Sequence, residues 1–115
     1  MKNEHNVDIY AVRNKMVWMG FRDNIAGTPM LREAIKMWEP GMSVTKEIYP
    51  AVAKLFGSTA SRVERNMRHA IESAWDRGDY YSIESVFGGS ISEEKGKPTN
   101  GEFIARMAVY FGVED

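Results

Sequence analysis

Between Ser58 and Gly78 the chain runs STASRVERNMRHAIESAWDRG, which reads as one long helix with two chemically different faces. At about 100° per residue, Ala60, Val63, Met67, Ala70, Ile71 and Ala74 gather on one side. Ser61, Arg62, Arg65, Arg68, His69 and Glu72 gather on the other. The apolar side has to be covered, so the rest of the chain must build a core against it. The arginine-rich side points outward to a partner. A helix anchored in this way, starting just after a short turn, has a shape that a groove of duplex DNA accepts.

The remaining segments read as further helices. Ile9, Val12, Met16 and Met19 repeat at helical spacing from Asp8 and predict a first helix ending near Gly20. After a loop at Asn24-Ile25-Ala26-Gly27, Thr28 is expected to cap a second helix with Pro29 at its first position. Leu31, Ala34, Ile35 and Trp38 form its buried stripe, and Pro40-Gly41 stops it. Thr45 is expected to cap a third helix, with Ile48, Val52, Leu55 and Phe56 facing inward. Pro50 lies inside that helix and removes one backbone hydrogen bond, bending its first turn unless the turn is loose.

Gly57-Ser58-Thr59 is short enough to force a sharp turn into the fourth helix. Either Thr59 or Ser61 can cap it, and Ser61 with Glu64 fits a reciprocal capping box. A short helix is expected around Ser82 to Phe87, then a loop from Gly88 to Pro98. Thr99 with Glu102 makes a capping box ahead of Phe103, Met107 and Tyr110 on a last helix. Alternating strand patterns, internal repeats and low-complexity tracts are missing from the sequence. The fold expected is all-α, six helices with short connections.

A chain of 115 residues is long enough for one modest core and too short for two. It has no run of apolar residues approaching a membrane span and no signal-peptide pattern, so a cytoplasmic setting without a membrane is expected. The absence of cysteine excludes disulfides, thiolate metal sites and a cysteine nucleophile. Net charge of -1 rules out a generally basic coat but not DNA binding, which depends on the local field. Part of the negative charge is set apart, with Glu93 and Glu94 in a loop and Glu114 and Asp115 at the end.

Four blocks carry a family resemblance. They are Leu31-Arg32-Glu33-Ala34-Ile35; Thr45-Lys46 with Ile48-Tyr49-Pro50; Thr59 to Arg65 with Arg68-His69-Ala70-Ile71-Glu72 and Ala74-Trp75; and Lys97-Pro98-Thr99-Asn100 with Glu102-Phe103-Ile104-Ala105. Through them the chain resembles, over roughly residues 16 to 111, the C-terminal DNA-binding effector domain of the sporulation master regulators, the stage-zero sporulation transcription factors. The resemblance implies a six-helix, winged-helix-like domain whose third and fourth helices form an embedded helix-turn-helix. It further implies that the fourth helix enters the major groove and that the protein binds tandem sites of double-stranded DNA as a head-to-tail homodimer.

Two departures stand out. Family members usually carry a response-regulator receiver domain ahead of the effector domain, whereas here residues 1–15 are only a leader and the start of the first helix. Residues 16–115 then form the single effector domain. That leader is neither Ser/Gly-rich nor Pro-rich, which favours a stand-alone relative under other control over the effector half of a longer protein. The segment from Trp38 to Ser43 is also shorter than the family's connection.

Arg65 is the expected base-reading residue. Its planar fork can donate two hydrogen bonds to guanine O6 and N7, worth roughly 1–3 kcal/mol of discrimination. Glu64 can accept from a cytosine amino group, and both positions match the family motif. Arg62, Arg68 and His69 are expected to touch phosphates or bases, with Ser61 donating its hydroxyl to a phosphate. Free N–H groups at the starts of the third and fourth helices add anion affinity. Lys46 and Lys97 are placed by motif match and charge alone.

Ordinary explanations exist for each feature. An Arg/Glu-rich face is commonly a solvated surface, and Arg65 with Glu72 or Arg68 with Glu64 can be intrahelical pairs. Trp18, Trp38 and Trp75 read as core or boundary packing, and the methionines as gap-fillers. The alternative to a DNA-binding regulator is a protein-interaction modulator that kept the fold and lost DNA affinity. Tyr80, Tyr81, Ile83, Val86 and Phe87 form its candidate partner surface, in a region that the resemblance links to RNA polymerase sigma factor. With only His5 and His69, no catalytic triad or metal cluster can be assembled, and neither an enzymatic activity nor a cofactor or metal is expected.

Overall fold

Six α-helices form among the described residues: α1 (Ile9–Trp18), α2 (Gly27–Met37), α3 (Tyr49–Phe56), α4 (Ala60–Arg77), α5 (Tyr80–Phe87) and α6 (Asn100–Tyr110). One π-helical turn, Val44–Ile48, runs directly into α3. The computed structural model describes residues 7–88 and 96–112, the side chain of Tyr80 excepted. The lead-in Met1–Asn6, most of the expected Gly88–Pro98 loop with Glu93 and Glu94, and Glu114 with Asp115 lie outside them. The fold is all-α, as the apolar periodicities predict.

The longest helix, α4, is the one the others are built on. Helices α2, α3 and α6 all pack against it, α1 rests on α2, and α5 on α6. Its inward stripe Val63, Met67, Ala70, Ile71 and Ala74 is buried against Leu31, Ala34, Ile35, Ile48, Val52 and Ile104 in one contiguous core. Each Leu, Ile, Phe or Met removed from water there contributes about 1.5–3 kcal/mol. Phe103 of α6 sits at the centre of an aromatic group, its ring centroid 5.1 Å from Phe21, 5.8 Å from Phe87 and 6.0 Å from Trp75. Met16, Met19, Met30, Met67 and Met107 are buried in the same core, as expected of an unbranched, adaptable side chain.

Two glycines set how closely helices approach α4. A Cβ on Gly27 would lie 2.0 Å from the Asn66 carbonyl oxygen, so the start of α2 touches bare backbone in the middle of α4. A Cβ on Gly78 would lie 2.0 Å from the Met19 carbonyl oxygen. There the end of α4 meets the end of α1, and Asp79 N–H donates to Trp18 O at 3.1 Å.

Several local expectations are corrected. Thr28 does not cap α2. The turn closed by Thr28 N–H to Ile25 O already leads into the helix, and Thr28 is buried within its first turn. Thr45 does not cap the third helix either. The cap lies earlier, at Ser43 ahead of the π-helical turn that leads into it, the Ser43 hydroxyl accepting from Lys46 N–H at 3.0 Å while Glu47 accepts from Ser43 N–H at 2.9 Å. The intervening turn is π-helical, with Ile48 N–H reaching back to Ser43 O. Pro50 thereby falls at the second position of α3, where no N–H is needed.

Exposure brings further corrections. Leu55 and Phe56 are 61% and 39% exposed rather than inward, because they occupy the last turn of α3, where the chain reverses into α4. Ala60 is exposed at the first position of α4. Trp18 is 67% exposed, whereas Trp38 and Trp75 pack as expected. Tyr110 is 45% exposed, with the Lys15 ammonium 5.6 Å from its ring centre. The short helix starts at Tyr80, capped by Asp79, two residues earlier than expected.

Candidate nucleic-acid interface

The three residues between α3 and α4 determine where the arginine face begins. Gly57 takes the left-handed conformation (φ 63°, ψ 40°) that ends α3. Ser58 N–H donates back to Ala53 O at 2.9 Å. Thr59 is extended, and its hydroxyl accepts from Arg62 N–H at 3.2 Å, so of the two possible caps it is Thr59 that starts α4. Ser61 is left exposed in the first turn.

Along α4 the two faces separate without exception over the middle of the helix. Ser61, Arg62, Arg65, Arg68, His69 and Glu72 are all exposed, opposite the buried stripe. On the helical wheel Arg65 stands at the crest, with Arg62 and His69 on one flank and Ser61, Arg68 and Glu64 on the other. From Ser61 to Glu72 this ridge is about 16 Å long at 1.5 Å per residue. Arg62 and Arg65 have no ion-pair partner among the described residues. Arg68 pairs with Glu64 one turn back, engaging its Oε2, as the intrahelical reading anticipated.

Glu64, Arg68 and Glu72 face a cleft of about 430 Å³ between α4, the π-helical turn and the start of α6. Its other polar lining includes Tyr49, Lys97 and Asn100. The Lys97 ammonium lies 3.2 Å from the Asp76 carboxylate of α4, which holds the segment before α6 beside the arginine face. Lys46 is exposed on the π-helical turn. The capping box expected at Thr99 forms in both directions: Thr99 N–H donates to Glu102 at 3.0 Å, and Glu102 N–H donates to the Thr99 hydroxyl at 3.1 Å.

Two residues of this cleft had no role assigned from sequence. Asn100 is 7% exposed, and its amide nitrogen donates to the Tyr49 hydroxyl and to the Glu64 carbonyl, each at 3.0 Å. Burial raises the Tyr49 phenol above its ordinary pKa, opposed by the Asn100 hydrogen bond and reinforced by the nearby Glu64 charge. A signal for Asn100 does exist in the sequence. With Phe103, Ile104, Met107 and Ala108 it completes an i, i+3, i+4, i+7, i+8 stripe on which it is the polar member.

On the α5 side, Val86 and Phe87 are buried in the core and Ile83 is half-buried, while Tyr81 is 77% exposed. Among the described residues no group of three or more His, Asp and Glu side chains is arranged to hold a metal ion. No described helix is long and apolar enough to cross a membrane.

A family model described as "Sporulation initiation factor Spo0A C terminal" matches residues 12–111. That family is a DNA-binding domain of a sporulation regulator and is not an enzyme family. The matched span runs from the first buried residue of α1 to the end of α6 and takes in the whole arginine face, so the chain belongs to the Spo0A C-terminal domain family.

Proposed function

We propose that the protein is a sequence-specific DNA-binding transcription regulator in which α3, the Gly57-Ser58-Thr59 turn and α4 act as a helix-turn-helix, with α4 in the major groove. The observation that carries this reading is the exposed ridge of α4: two arginines without ion-pair partners among the described residues, on a helix anchored from behind by five buried residues. Arg65, at the crest, reads guanine O6 and N7 with its two-pronged donor. Glu64 keeps Oε1 for a cytosine amino group while Arg68 steadies the carboxylate through Oε2. Arg62, His69 and Ser61 flank the crest and contact phosphates or bases, and Arg68 joins them on the cleft side. Lys46 and Lys97 approach the phosphate backbone from the π-helical turn and from the segment before α6.

By the same family kinship, two copies bind tandem sites head to tail, and the α5 side meets RNA polymerase sigma factor. A second reading, an interaction modulator without DNA affinity, draws on exposed Trp18 and Tyr81, which flank the Trp18–Asp79 backbone contact. Salt separates the two. Binding to a duplex should weaken steeply as salt rises, and Arg62→Ala should lower the slope of log K against log salt by about 1. Duplex affinity that is negligible at low salt, or a slope that Arg62→Ala leaves unchanged, would favour the modulator.

A further inference from the structure

We propose that Asn100 is a positioning residue for base recognition: steadied by Tyr49, it grips the peptide unit between Glu64 and Arg65 and sets the rotation of α4 about its own axis. The inference rests on the reading of α4 as the recognition helix. The Glu64 carbonyl that Asn100 holds belongs to the peptide bond joining Glu64 to Arg65. Both hydrogens of the Asn100 amide are used, one on that carbonyl and one on the Tyr49 hydroxyl. A carbonyl can only accept, so its orientation requires the NH₂ end of the asparagine there.

Each arm of this node is itself fixed. Asn100 is the first residue of α6, immediately after the Thr99–Glu102 capping box. Tyr49 is the first residue of α3, directly after the Ser43-capped π-helical turn. Asn100 of α6 thus engages the peptide plane in the second turn of α4, and Tyr49 of α3 buttresses the Asn100 amide that does so. Apolar packing behind α4 is non-directional and tolerates small rotations, whereas a hydrogen bond from a nearly buried amide, itself fixed by a second bond to Tyr49, is directional and does not. At a side-chain radius of roughly 5–6 Å, a 10° rotation carries a tip by about 1 Å. Bidentate recognition tolerates about half that.

The test compares affinity for a duplex carrying the selected site with affinity for the same duplex in which the guanine read by Arg65 is replaced. Parent, Tyr49→Phe, Asn100→Asp and Arg65→Ala are measured beside Val12→Ala, a core truncation in α1 outside the cleft. All are assayed below their unfolding temperatures. Tyr49→Phe removes one arm and should lower the discrimination ratio about fivefold. Asn100→Asp points an acceptor at the Glu64 carbonyl and should lower it about tenfold or more. Val12→Ala should lose stability and keep its ratio.

If Asn100→Asp does not fold, Tyr49→Phe decides the matter alone. A ratio within twofold of the parent for Tyr49→Phe, while Arg65→Ala collapses it, would overturn the positioning role and leave the recognition helix intact. A ratio that follows thermal stability across all variants, Val12→Ala included, would reduce the node to ordinary structural support and overturn it too. An unchanged ratio in Arg65→Ala would instead overturn the reading of α4, and the positioning role with it.

Discussion

Replacing Gly27 by alanine should destabilise the protein, against the usual sign of a glycine-to-alanine change in a helix. Alanine in a compatible helical position gains about 0.5–1 kcal/mol. Gly27 has no positive φ that would penalise a side chain, so local propensity alone favours the substitution. Contact with α4 reverses this. The new methyl would lie 2.0 Å from the Asn66 carbonyl oxygen, 2.5 Å from its carbonyl carbon and 2.9 Å from the Met67 nitrogen. These are backbone atoms in the middle of an 18-residue helix and cannot rotate aside. The start of α2 must lift away, loosening Met30 and Leu31 in the core. Overpacking of this kind costs about 1–3 kcal/mol, and so close an approach falls at or above the top of that range. Net of the propensity gain, the expected loss is about 2–3 kcal/mol, or a fall in Tm of roughly 10 °C for a domain this size. Urea unfolding followed by tryptophan fluorescence and circular dichroism reads it. A Gly27→Ala variant as stable as the parent, or more so, would refute the close approach of α2 to α4.

Asp23→Asn tests the bridge from α1 to α2. The Arg32 hydrogen bond above all, with Arg13 beside it, holds the Asp23 carboxyl below its ordinary pKa against a smaller desolvation effect. A depressed folded-state pKa stabilises above the unfolded value near 4 and is lost as pH falls through the folded value. The carboxylate is 41% exposed and screened, so the whole contribution is about 1 kcal/mol or less. Urea titrations over pH should therefore show a parent–variant gap that is constant above about pH 5 and closes below about pH 4. A gap that widens in acid would contradict the bridge. Thr59→Ala should cost about 1 kcal/mol as a lost N-cap, and Ser61→Ala only a few tenths. The reverse order in thermal melts would place the cap at Ser61.

The amphipathic pattern of α4 was legible because its faces divide at the helical period, and each face carries six residues of consistent character. The α6 cap was legible because both members of the box lie within four residues. The starts of α2 and α3 were not. Hydroxyls at Ser43 and Thr45 are equally able caps, and only the π-helical turn that accommodates Pro50 favours the earlier one. Periodicity identified the faces carrying Leu55, Phe56 and Trp18 but cannot say whether anything lies over them. A helix end can outrun its neighbours, and both α1 and α3 do so. Asn100 was passed over because its significance lies in two contacts, 36 and 51 residues away in sequence.

Selecting bound duplexes from a random pool, with the parent and Arg65→Ala in parallel, addresses base reading by α4 most directly. The parent should enrich one motif containing a guanine that Arg65→Ala no longer requires, the other positions of the motif persisting. Identical motifs from the two proteins, or none from the parent, would contradict it.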